Sequence, residues 1–410
     1  MSLLNRLASL TPAVPPGAAL AGTVTIPASL GFVPVAVHFD LFGVLVRHGN
    51  PASAKDIARA VNNAIQTEKE DKPEISVLLA GMPSLTLVPQ PPLVRGAKPY
   101  RILADTLYIM AGLGLVERVD EDCFVANAIT RHMVDMPSAQ HGAVHFCTEG
   151  MMAGAFLMRK LQDTNFAYPF AECDGPFQYA YQLMGQEELA KQHTYSIMEA
   201  QGRMDSFNQF MVGKFLKFGT FPERVAGAGY ALGAVLGVDP ASSSSSSALR
   251  DGEVAMVDIG GGRGELLLEV QAYYPSLQAS QLIVQEFNAA IDDVPGVRLM
   301  EWNYKISAEQ PIRGARVYSL QHILHNLPDL DAVALVQKLA RAMGPESRLL
   351  IIEYAKNLTY TNLHSSMIAL YGGRERSSAE WQQLAGVCGL RVSFEKYEIA
   401  GESLVEMRLV

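Results

Sequence analysis

The chain has 410 residues, of which 49% are hydrophobic and 18% are charged, and its formal net charge is −9. This composition predicts a globular protein of two domains and excludes a disordered chain. The acidic balance argues against a nucleic-acid partner, since such proteins present a basic face, and four scattered cysteines without metal-like spacing argue against a metal site.

Residues 1–150 are predicted to form helices with short β segments. The stretches that begin at Pro51 and Arg101, with the turn over residues 112–118 (GLGLVER), resemble a winged-helix arrangement. The apolar segment over residues 26–46 favours a dimerisation surface, because so much exposed apolar surface would be unusual on a monomer. Pro34 and Asp40 interrupt that segment, so we expect no membrane span, and the unpaired cysteines favour a cytoplasmic protein.

Residues 151–238 are predicted to be mostly helical and are rich in Met and aromatic residues. Such side chains at helical spacing are typical of a core, and they also line pockets for flat apolar ligands. The candidate pocket residues, with two later methionines, are Phe207, Phe210, Met211, Met367 and Met407. Core packing is the alternative for Met407, which lies on a late strand.

Residues 239–252 (DPASSSSSSALRDG) carry a serine run, which predicts a surface insertion rather than a linker between domains. From residue 253 to 410, apolar strands alternate with helices, which predicts a mostly parallel, doubly wound sheet of the Rossmann-like α/β class.

A glycine-rich turn follows the first of these strands. The strand ends in Asp258, then come Gly260, Gly262 and Gly264, and a helix begins. Bare backbone at a helix N-terminus lets a ligand approach unpaired amides. The turn is not the dinucleotide-binding G-x-G-x-x-G, because counting from either of the first two glycines fails at the last position. An ordinary α/β turn with extra glycine is the alternative.

Further motifs follow at the ends of later strands. The next strand, QLIVQEF, ends in Glu286, and MEWNY carries Asn303 and Tyr304. The stretch PIRGARVYSLQHILHNLPD is followed by RLLIIEY and then by GGRERSSAEWQQL. These stretches contain the polar residues Gln321, His322, His325, Glu353 and Glu375.

Together with the glycine turn, these motifs resemble the fungal and plant small-molecule O-methyltransferase family, over essentially the whole second half. The resemblance implies a C-terminal class I S-adenosylmethionine (SAM) domain and an N-terminal winged-helix dimerisation domain, whose helices are exchanged in a homodimer. It implies His325 as the general base, oriented by Glu353 and Glu375. The residues that it assigns to SAM are Asp258, Gly260, Gly262, Gly264, Glu286, Asn303, Tyr304 and Gln321.

Three positions depart from the family pattern. Asn303 stands where Asp is usual, Gln321 where Arg or Lys is usual, and Asn326 where Asp is usual. The first two departures weaken the case for methyl transfer. SAM is still expected to bind, and whether it is consumed stays open at this point. The chain also resembles the fungal O-methyltransferase-like pericyclases of pyridone alkaloid biosynthesis, in the segment ANAITRHMVDMP around His132 and in the pair Gln321 and His322.

The sequence therefore favours a pericyclase that dehydrates and cyclises a polyketide-derived pyridone quinone methide, by a hetero-Diels–Alder or Alder-ene step. Hydrogen-bond donors and a shaped apolar pocket suffice for such a reaction. The alternatives are a SAM-dependent O-methyltransferase that acts on a phenolic or polyketide hydroxyl, and a non-catalytic member of the fold. For His132 a surface position at a helix end is the alternative, and for His322 a structural position at a strand end.

Overall fold

In a computed structural model, the described residues are 16–71, 100–212, 219–238, 249, 252–287, 294–398 and 401–410. The chain divides into two compact units: Met1–Met151 with Met198–Phe215, and Met152–Ile197 with Leu216–Val410. We call them the N-terminal and the C-terminal unit. The predicted boundaries at residues 150, 238 and 252 stay predictions, and most of the serine-rich segment lies outside the described residues.

The elements up to residue 212 are mainly helical. The strands are β1 (Ala52–Ser53), β2 (Glu117–Asp120) and β3 (Cys123–Val125). The helices are α1 (Pro16–Val24), α2 (Ile26–Leu30), α3 (Val33–His38), α4 (Leu41–His48), α5 (Ala54–Asp71), α6 (Tyr100–Gly112), α7 (Ala128–Asp135), α8 (Pro137–His145), a π-helix (Phe146–Gly150), α9 (Met151–Asp163), α10 (Pro176–Leu183), α11 (Glu187–Ala190), α12 (Thr194–Ala200) and α13 (Met204–Val212).

The N-terminal unit contains the predicted winged-helix arrangement. Helices α4, α5 and α6 are followed by the β2–β3 hairpin, and the three strands form an antiparallel sheet in the order β1-β3-β2. Helix α7 starts with a capping box, in which the side chains of Asn127 and Thr130 bond each other's backbone amides. The core of this unit includes Leu41, Phe42 and Phe124, which are almost fully buried.

The elements from residue 219 onward alternate between helix and strand. The strands are β4 (Met256–Ile259), β5 (Leu282–Glu286), β6 (Arg298–Glu301), β7 (Val317–Gln321), β8 (Arg348–Glu353), β9 (Leu390–Lys396) and β10 (Ser403–Leu409). The helices are α14 (Phe221–Gly227), α15 (Leu232–Leu236), α16 (Glu265–Tyr273), α17 (Asp329–Ala342), α18 (Thr361–Tyr371) and α19 (Ser378–Val387), with 3-10 turns at Ala279–Gln281, Leu324–Asn326 and Leu358–Tyr360.

These strands form one seven-stranded sheet in the order β6-β5-β4-β7-β8-β10-β9. The first five are parallel, and β10 runs antiparallel to both β8 and β9. Alternate strand residues face opposite helix layers, as a period of two requires. Val257 and Ile259 pack with α17 and α19, whereas Met256 packs with α14, α15 and α16. The predicted doubly wound α/β fold is confirmed.

The parallel arrangement brings the ends of four strands to one edge of the sheet. Ile259 pairs with both Gln285 and Leu320, and Gln321 pairs with Ile352, so β4, β5, β7 and β8 end at the same level. Open α/β sheets bind ligands at the carboxyl ends of their strands. The glycine turn, Glu286 and Glu353 therefore meet at the edge where such a site is expected.

No single helix in the described part of the chain is long and apolar enough to cross a bilayer. The segments Ile26–His38 and Leu41–His48 meet the length and composition criteria only as a pair bent by 63°. Within the same described ranges, no group of three or more His, Cys, Asp or Glu side chains is arranged to hold a metal ion.

Candidate active site

The glycine turn after β4 has a backbone that only glycine adopts easily. Gly260, Gly262 and Gly264 have φ angles of +67°, +58° and +86°. Gly261, which the sequence pattern did not single out, has a steric reason to be glycine, because a Cβ there would lie 2.5 Å from Oδ2 of Asp258. A Cβ on Gly262 would meet nothing closer than 3.8 Å. The turn therefore exposes bare backbone on its open side.

Two acids flank this turn. Asp258 is buried at the end of β4, and its Oδ1 accepts a hydrogen bond of 2.6 Å from the Ser319 hydroxyl. Glu286, at the end of β5, accepts a 2.8 Å bond from the amide of Gly262. Burial raises the pKa of Glu286, and the amides of Gly262 and Phe287 only partly oppose that rise. Asp258 packs against the backbone of the turn at Gly261, and Glu286 lies beside its open side at Gly262.

The loop after β6 carries the next two candidates. Asn303 uses its side-chain oxygen to accept a 3.0 Å bond from the backbone amide of Lys305, which shapes the loop. The ring of Tyr304 lies 6.2 Å from that of Trp302. Burial raises the pKa of Tyr304, and the nearby charges of Glu172, Glu286 and Asp331 act in the same direction. Tyr304 therefore keeps its proton and lies within electrostatic reach of the acid at the glycine turn.

The predicted base lies in the 3-10 turn Leu324–Asn326. Nδ1 of His325 is 2.9 Å from Oε1 of Glu375, and the backbone amide of His325 donates a 3.1 Å bond to Oε1 of Glu353. All three side chains are buried. Burial alone would lower the pKa of His325, but the charge and hydrogen bond of Glu375, with the charge of Glu353, outweigh it and raise that pKa.

Two residues that the sequence motifs did not identify hold this turn. The guanidinium of Arg376 donates to the carbonyl oxygens of Leu324 (2.7 Å) and Leu327 (3.3 Å). A Cβ on Gly373 would lie 2.6 Å from the carbonyl carbon of Asn326 and closer still to the carbonyl oxygen of His325. The segment that supplies Glu375 is thus packed directly on the backbone of the turn.

Asn326, the third departure from the family pattern, bridges the turn to helix α12. Its amide nitrogen donates 3.1 Å bonds to the hydroxyl of Tyr195 and to the carbonyl of His322. The ring of Tyr195 lies 5.6 Å from that of Tyr371. Burial raises the pKa of Tyr195 far above its usual range, so this phenol stays protonated. No sequence pattern pointed to Tyr195.

Gln321 and His322 share one acid that the sequence reasoning also missed. Oε1 of Glu402 lies 2.8 Å from Nε2 of Gln321 and 2.7 Å from Nε2 of His322, and Oε2 pairs with Arg224 at 2.9 Å. His322 has a left-handed backbone, with φ at +55°. Its ring lies 5.2 Å from that of His325 and stacks on Tyr354 at 5.3 Å. This pair is therefore joined to the base turn and anchored on Glu402.

The two predicted methionines of the C-terminal unit are both buried. Met367 packs in a cluster with Phe177, Tyr181 and Tyr371. Met407 is fully buried in the core of the sheet, opposite Leu349 of β8. The position of Met407 is that of a core residue, which was the alternative to a pocket role.

The remaining candidates belong to the N-terminal unit. His132 lies in the last turn of α7 and is exposed in the single chain. The rings of Phe207 and Phe210 lie 5.1 Å and 6.0 Å from the ring of buried His145, and Met211 is half-buried. Their predicted roles in catalysis and in the pocket stay predictions. The structure brings together Asp258, the glycines, Glu286, Gln321, His322, His325, Glu353 and Glu375 at one sheet edge.

Comparison with known proteins decides the family. Residues 247–391 match the O-methyltransferase domain family. The O-methyltransferase bfoE of Aspergillus brasiliensis is 50% identical over 396 residues, which cover 96% of this chain and 96% of that protein. The chain belongs to the O-methyltransferase family. The O-methyltransferase aunE of Aspergillus niger is 49% identical over 396 residues, again with 96% of each chain covered.

Solved structures agree on the fold of this O-methyltransferase family member. The complex of LepI with SAM has a TM-score of 0.72 at 19% identity, covering 100% of this chain and 92% of that chain. At this identity the likeness concerns the fold alone. SAM is the cofactor of the O-methyltransferase family, so the predicted cofactor is confirmed together with the family.

Proposed function

We propose that the chain is a SAM-dependent O-methyltransferase that acts on a phenolic hydroxyl, with His325 as the general base. The observation that carries this proposal is the buried His325–Glu375 contact of 2.9 Å. Among the described residues, the other ring nitrogen of His325 bonds no protein group, so Nε2 is left for a substrate. Half-identical relatives named O-methyltransferases support the same reaction class.

The glycine turn and its acids fit the cofactor. The open side of Gly262 gives backbone on which a nucleoside can lie, and the carboxylate of Glu286 can accept hydrogen bonds from two neighbouring hydroxyls. Tyr304, which is within electrostatic reach of Glu286, can add aromatic surface to this site. SAM, when bound, supplies an electrophilic methyl group for a deprotonated oxygen.

His325, in the 3-10 turn Leu324–Asn326, accepts the proton of the substrate hydroxyl in this proposal. Neutral His325, with its Nδ1 proton directed at Glu375, presents a lone pair at Nε2 that can take the proton of a substrate hydroxyl. The carboxylate of Glu375 then stabilises the imidazolium that forms. Half-buried Tyr195, which accepts from the Asn326 amide and whose ring lies 5.6 Å from that of buried Tyr371, places aromatic surface beside this turn.

A phenol suits this base better than an alkyl alcohol. The usual pKa of a phenol is about 10, and that of imidazole is about 6.5, so an imidazole with a raised pKa is within a few units of its target. The proton of an alkyl alcohol is far harder to remove. Aromatic polyketides carry such hydroxyls, which agrees with the substrate class expected from the sequence.

A pericyclase that acts on a polyketide-derived pyridone quinone methide is the second candidate. It is favoured by Asn303 and Gln321, and by the left-handed backbone of His322 beside His325, since strained residues cluster at active sites. In this candidate His322, held by Glu402, donates a hydrogen bond to the cyclising substrate. We rank it second because the Nε2 atoms of Gln321 and His322, which would have to reach the substrate, already bond Glu402. The His325–Glu375 pair, in contrast, has the arrangement of a general base.

The test is an incubation of purified protein with SAM and a panel of phenolic polyketides, analysed by mass spectrometry. We expect a methyl ether and an equal amount of S-adenosylhomocysteine. His325→Ala should lower kcat by at least about 100-fold with unchanged affinity for SAM, because the proton acceptor is lost. The control, His132→Ala, changes an exposed residue and should retain activity. A full rate in His325→Ala contradicts the proposal. Absence of any ether, with a changed product ratio from a quinone methide, favours the second candidate.

A further inference from the structure

The side-chain amide of Gln321 has an orientation that the chemistry of its neighbour decides. Gln321 is the last residue of strand β7, and its Nε2 donates a 2.8 Å hydrogen bond to Oε1 of Glu402. A carboxylate accepts hydrogen bonds and has none to donate, so the nitrogen of the amide must face Glu402. The carbonyl oxygen of the amide, Oε1 of Gln321, therefore lies on the side that does not contact the acid.

Glu402 is itself held in place by two further groups. Its Oε1 lies 2.7 Å from Nε2 of His322, and its Oε2 pairs with Nε of Arg224 at 2.9 Å. Only 3% of the Glu402 side chain is exposed, and Arg224 supplies the counter-charge that such a carboxylate needs. If the Gln321 amide turned over, two oxygens would face each other and the buried acid would lose a donor. The orientation of the amide is thus fixed.

The carbonyl oxygen of Gln321 lies at the edge of the sheet that carries the glycine turn. Gln321 and Ser319 share one face of β7, since side chains alternate along a strand, and Ser319 bonds Asp258 below the turn. The chain that follows also packs on the turn, because a Cβ on Gly260 would lie 2.5 Å from Cδ1 of Ile323. Within the described ranges, Oε1 of Gln321 accepts no hydrogen bond from protein, and the side chain is half-buried. This oxygen is available to a ligand.

We propose that Glu402 is a positioning residue of the cofactor site, which directs the amide oxygen of Gln321 toward a cationic group of SAM. A carbonyl oxygen is the negative end of the amide dipole, so it attracts the ammonium or the sulfonium of SAM. A lysine or arginine, which is usual in the family at position 321, would present a cation instead. The inference rests on the SAM site of the proposed function, but it requires no methyl transfer.

Titration calorimetry with SAM and with S-adenosylhomocysteine, which lacks the sulfonium charge, tests this proposal without turnover. Gln321→Met keeps the length of the side chain and removes the oxygen. Glu402→Gln allows the Gln321 amide to turn over, because a second amide can donate as well as accept. Each variant should lose about 10-fold in SAM affinity. A loss confined to SAM assigns the contact to the sulfonium, and an equal loss for both ligands assigns it to the ammonium.

The matched control is Gln382→Met, the same change at an exposed position of helix α19, which should keep both affinities. Gln321→Lys should bind SAM at least as weakly as Gln321→Met, because it sets a cation against a cation. Circular dichroism and thermal melting check that each variant folds. Wild-type affinity for SAM in Gln321→Met, or equal or tighter binding in Gln321→Lys, overturns the inference.

The double variant Glu402→Gln with Gln321→Met shows whether Glu402 acts through Gln321. If it does, the double variant should bind SAM as Gln321→Met does, because the oxygen that Glu402 positions is already absent. A merely structural role of Glu402 would instead multiply the two losses to about 100-fold, and that result contradicts the proposal. If SAM binds as expected but no methyl ether forms with any substrate, the proposed function fails and the inference about Glu402 stands.

Discussion

At the scale of single residues, Asn326 shows that a departure from the family pattern can have a structural reason. Its amide donates to two oxygens, the hydroxyl of Tyr195 and the carbonyl of His322. An ionised aspartate has no donor, so it could make neither bond. Asn326 therefore helps to hold the turn that carries His325. A carboxylate at this position could not replace the two hydrogen bonds that the amide donates.

We expect Asn326→Asp to lower kcat near neutral pH. The lost donor to the buried His322 carbonyl is worth about 1.4 kcal/mol, so kcat near neutral pH should fall about 10-fold. The added negative charge raises the pKa of His325 further, and only the neutral imidazole accepts a proton. The acid limb of the kcat profile should therefore move to higher pH, and the deficit should shrink in alkaline buffer.

Tyr195→Phe is the matched control for that variant. It removes one acceptor of the Asn326 amide without adding a charge, so kcat should fall less and the acid limb should stay in place. If the acid limb of Asn326→Asp coincides with that of the wild type, position 326 has no electrostatic influence on His325.

The sequence predicted the members of this site unevenly. His325 and Glu353 were predictable because each lies in a short motif at the end of a strand or in the turn that follows one, and Glu375 because it lies in the short motif between α18 and α19. Tyr195 and Glu402 were not, because they come from a helix and from the loop before the last strand, far away in sequence. Only the packing of those elements brings them to the turn.

At the scale of elements, the contact between the segment around Gly373 and the 3-10 turn Leu324–Asn326 controls the geometry of the base. Gly373→Ala would drive a methyl group into the backbone of that turn, which cannot move aside as a flexible side chain can. A displacement of about 1 Å at reacting groups costs on the order of 100-fold in rate. We expect such a loss in kcat, with the affinity for SAM almost unchanged, measured by steady-state kinetics and calorimetry.

Gly386→Ala provides the control for this prediction. Gly386 lies in helix α19, where a Cβ meets nothing within 4 Å. Alanine there should leave kcat unchanged and stabilise the helix by about 0.5–1 kcal/mol. Equal kcat values for the two variants would show that the turn tolerates displacement.

The glycine turn allows a separate prediction for the cofactor. Gly261→Ala would place a Cβ 2.5 Å from Oδ2 of Asp258, so the turn has to shift. Overpacking costs about 1–3 kcal/mol, which corresponds to a loss of about 10-fold or more in SAM affinity. Titration calorimetry measures it, with Gly227→Ala in α14 as a control whose Cβ meets nothing within 4 Å. An unchanged Kd in Gly261→Ala means that the cofactor does not use this turn.

The alternation of strands and helices after residue 253 was readable from the sequence because buried parallel strands are short continuous apolar runs. The 3-10 turn at Leu324–Asn326 and the hydrogen bonds that hold it were not readable, since they depend on Arg376 and Gly373 from a distant segment. Local patterns thus predicted the sheet, and tertiary contacts determined the site.

At the scale of the whole molecule, the apolar N-terminal segment is partly explained by packing within one chain. Residues 26–46 were expected to form a dimer surface because of their apolar character. Val33, Leu41, Phe42 and Leu45 are instead buried in the core of the N-terminal unit. Helix α1 differs, since Leu20 and Val24 are 63% and 61% exposed in the single chain. If a second copy covers apolar surface of the N-terminal unit, α1 carries the two most exposed large apolar side chains among the described residues of that unit.

The homodimer stays a prediction, and helix α1 gives it a sharp test. Light scattering should give a mass twice the 44.5 kDa of one chain. The double variant Leu20→Glu with Val24→Glu should shift the mass toward one chain, because charges would be buried without partners in the interface. The control pair, Ile306→Glu with Leu358→Glu, changes side chains that are 83% and 92% exposed in the C-terminal unit and should leave the mass unchanged. A wild-type mass of one chain at every protein concentration contradicts the dimer, and equal masses for both variant pairs exclude α1 from the interface.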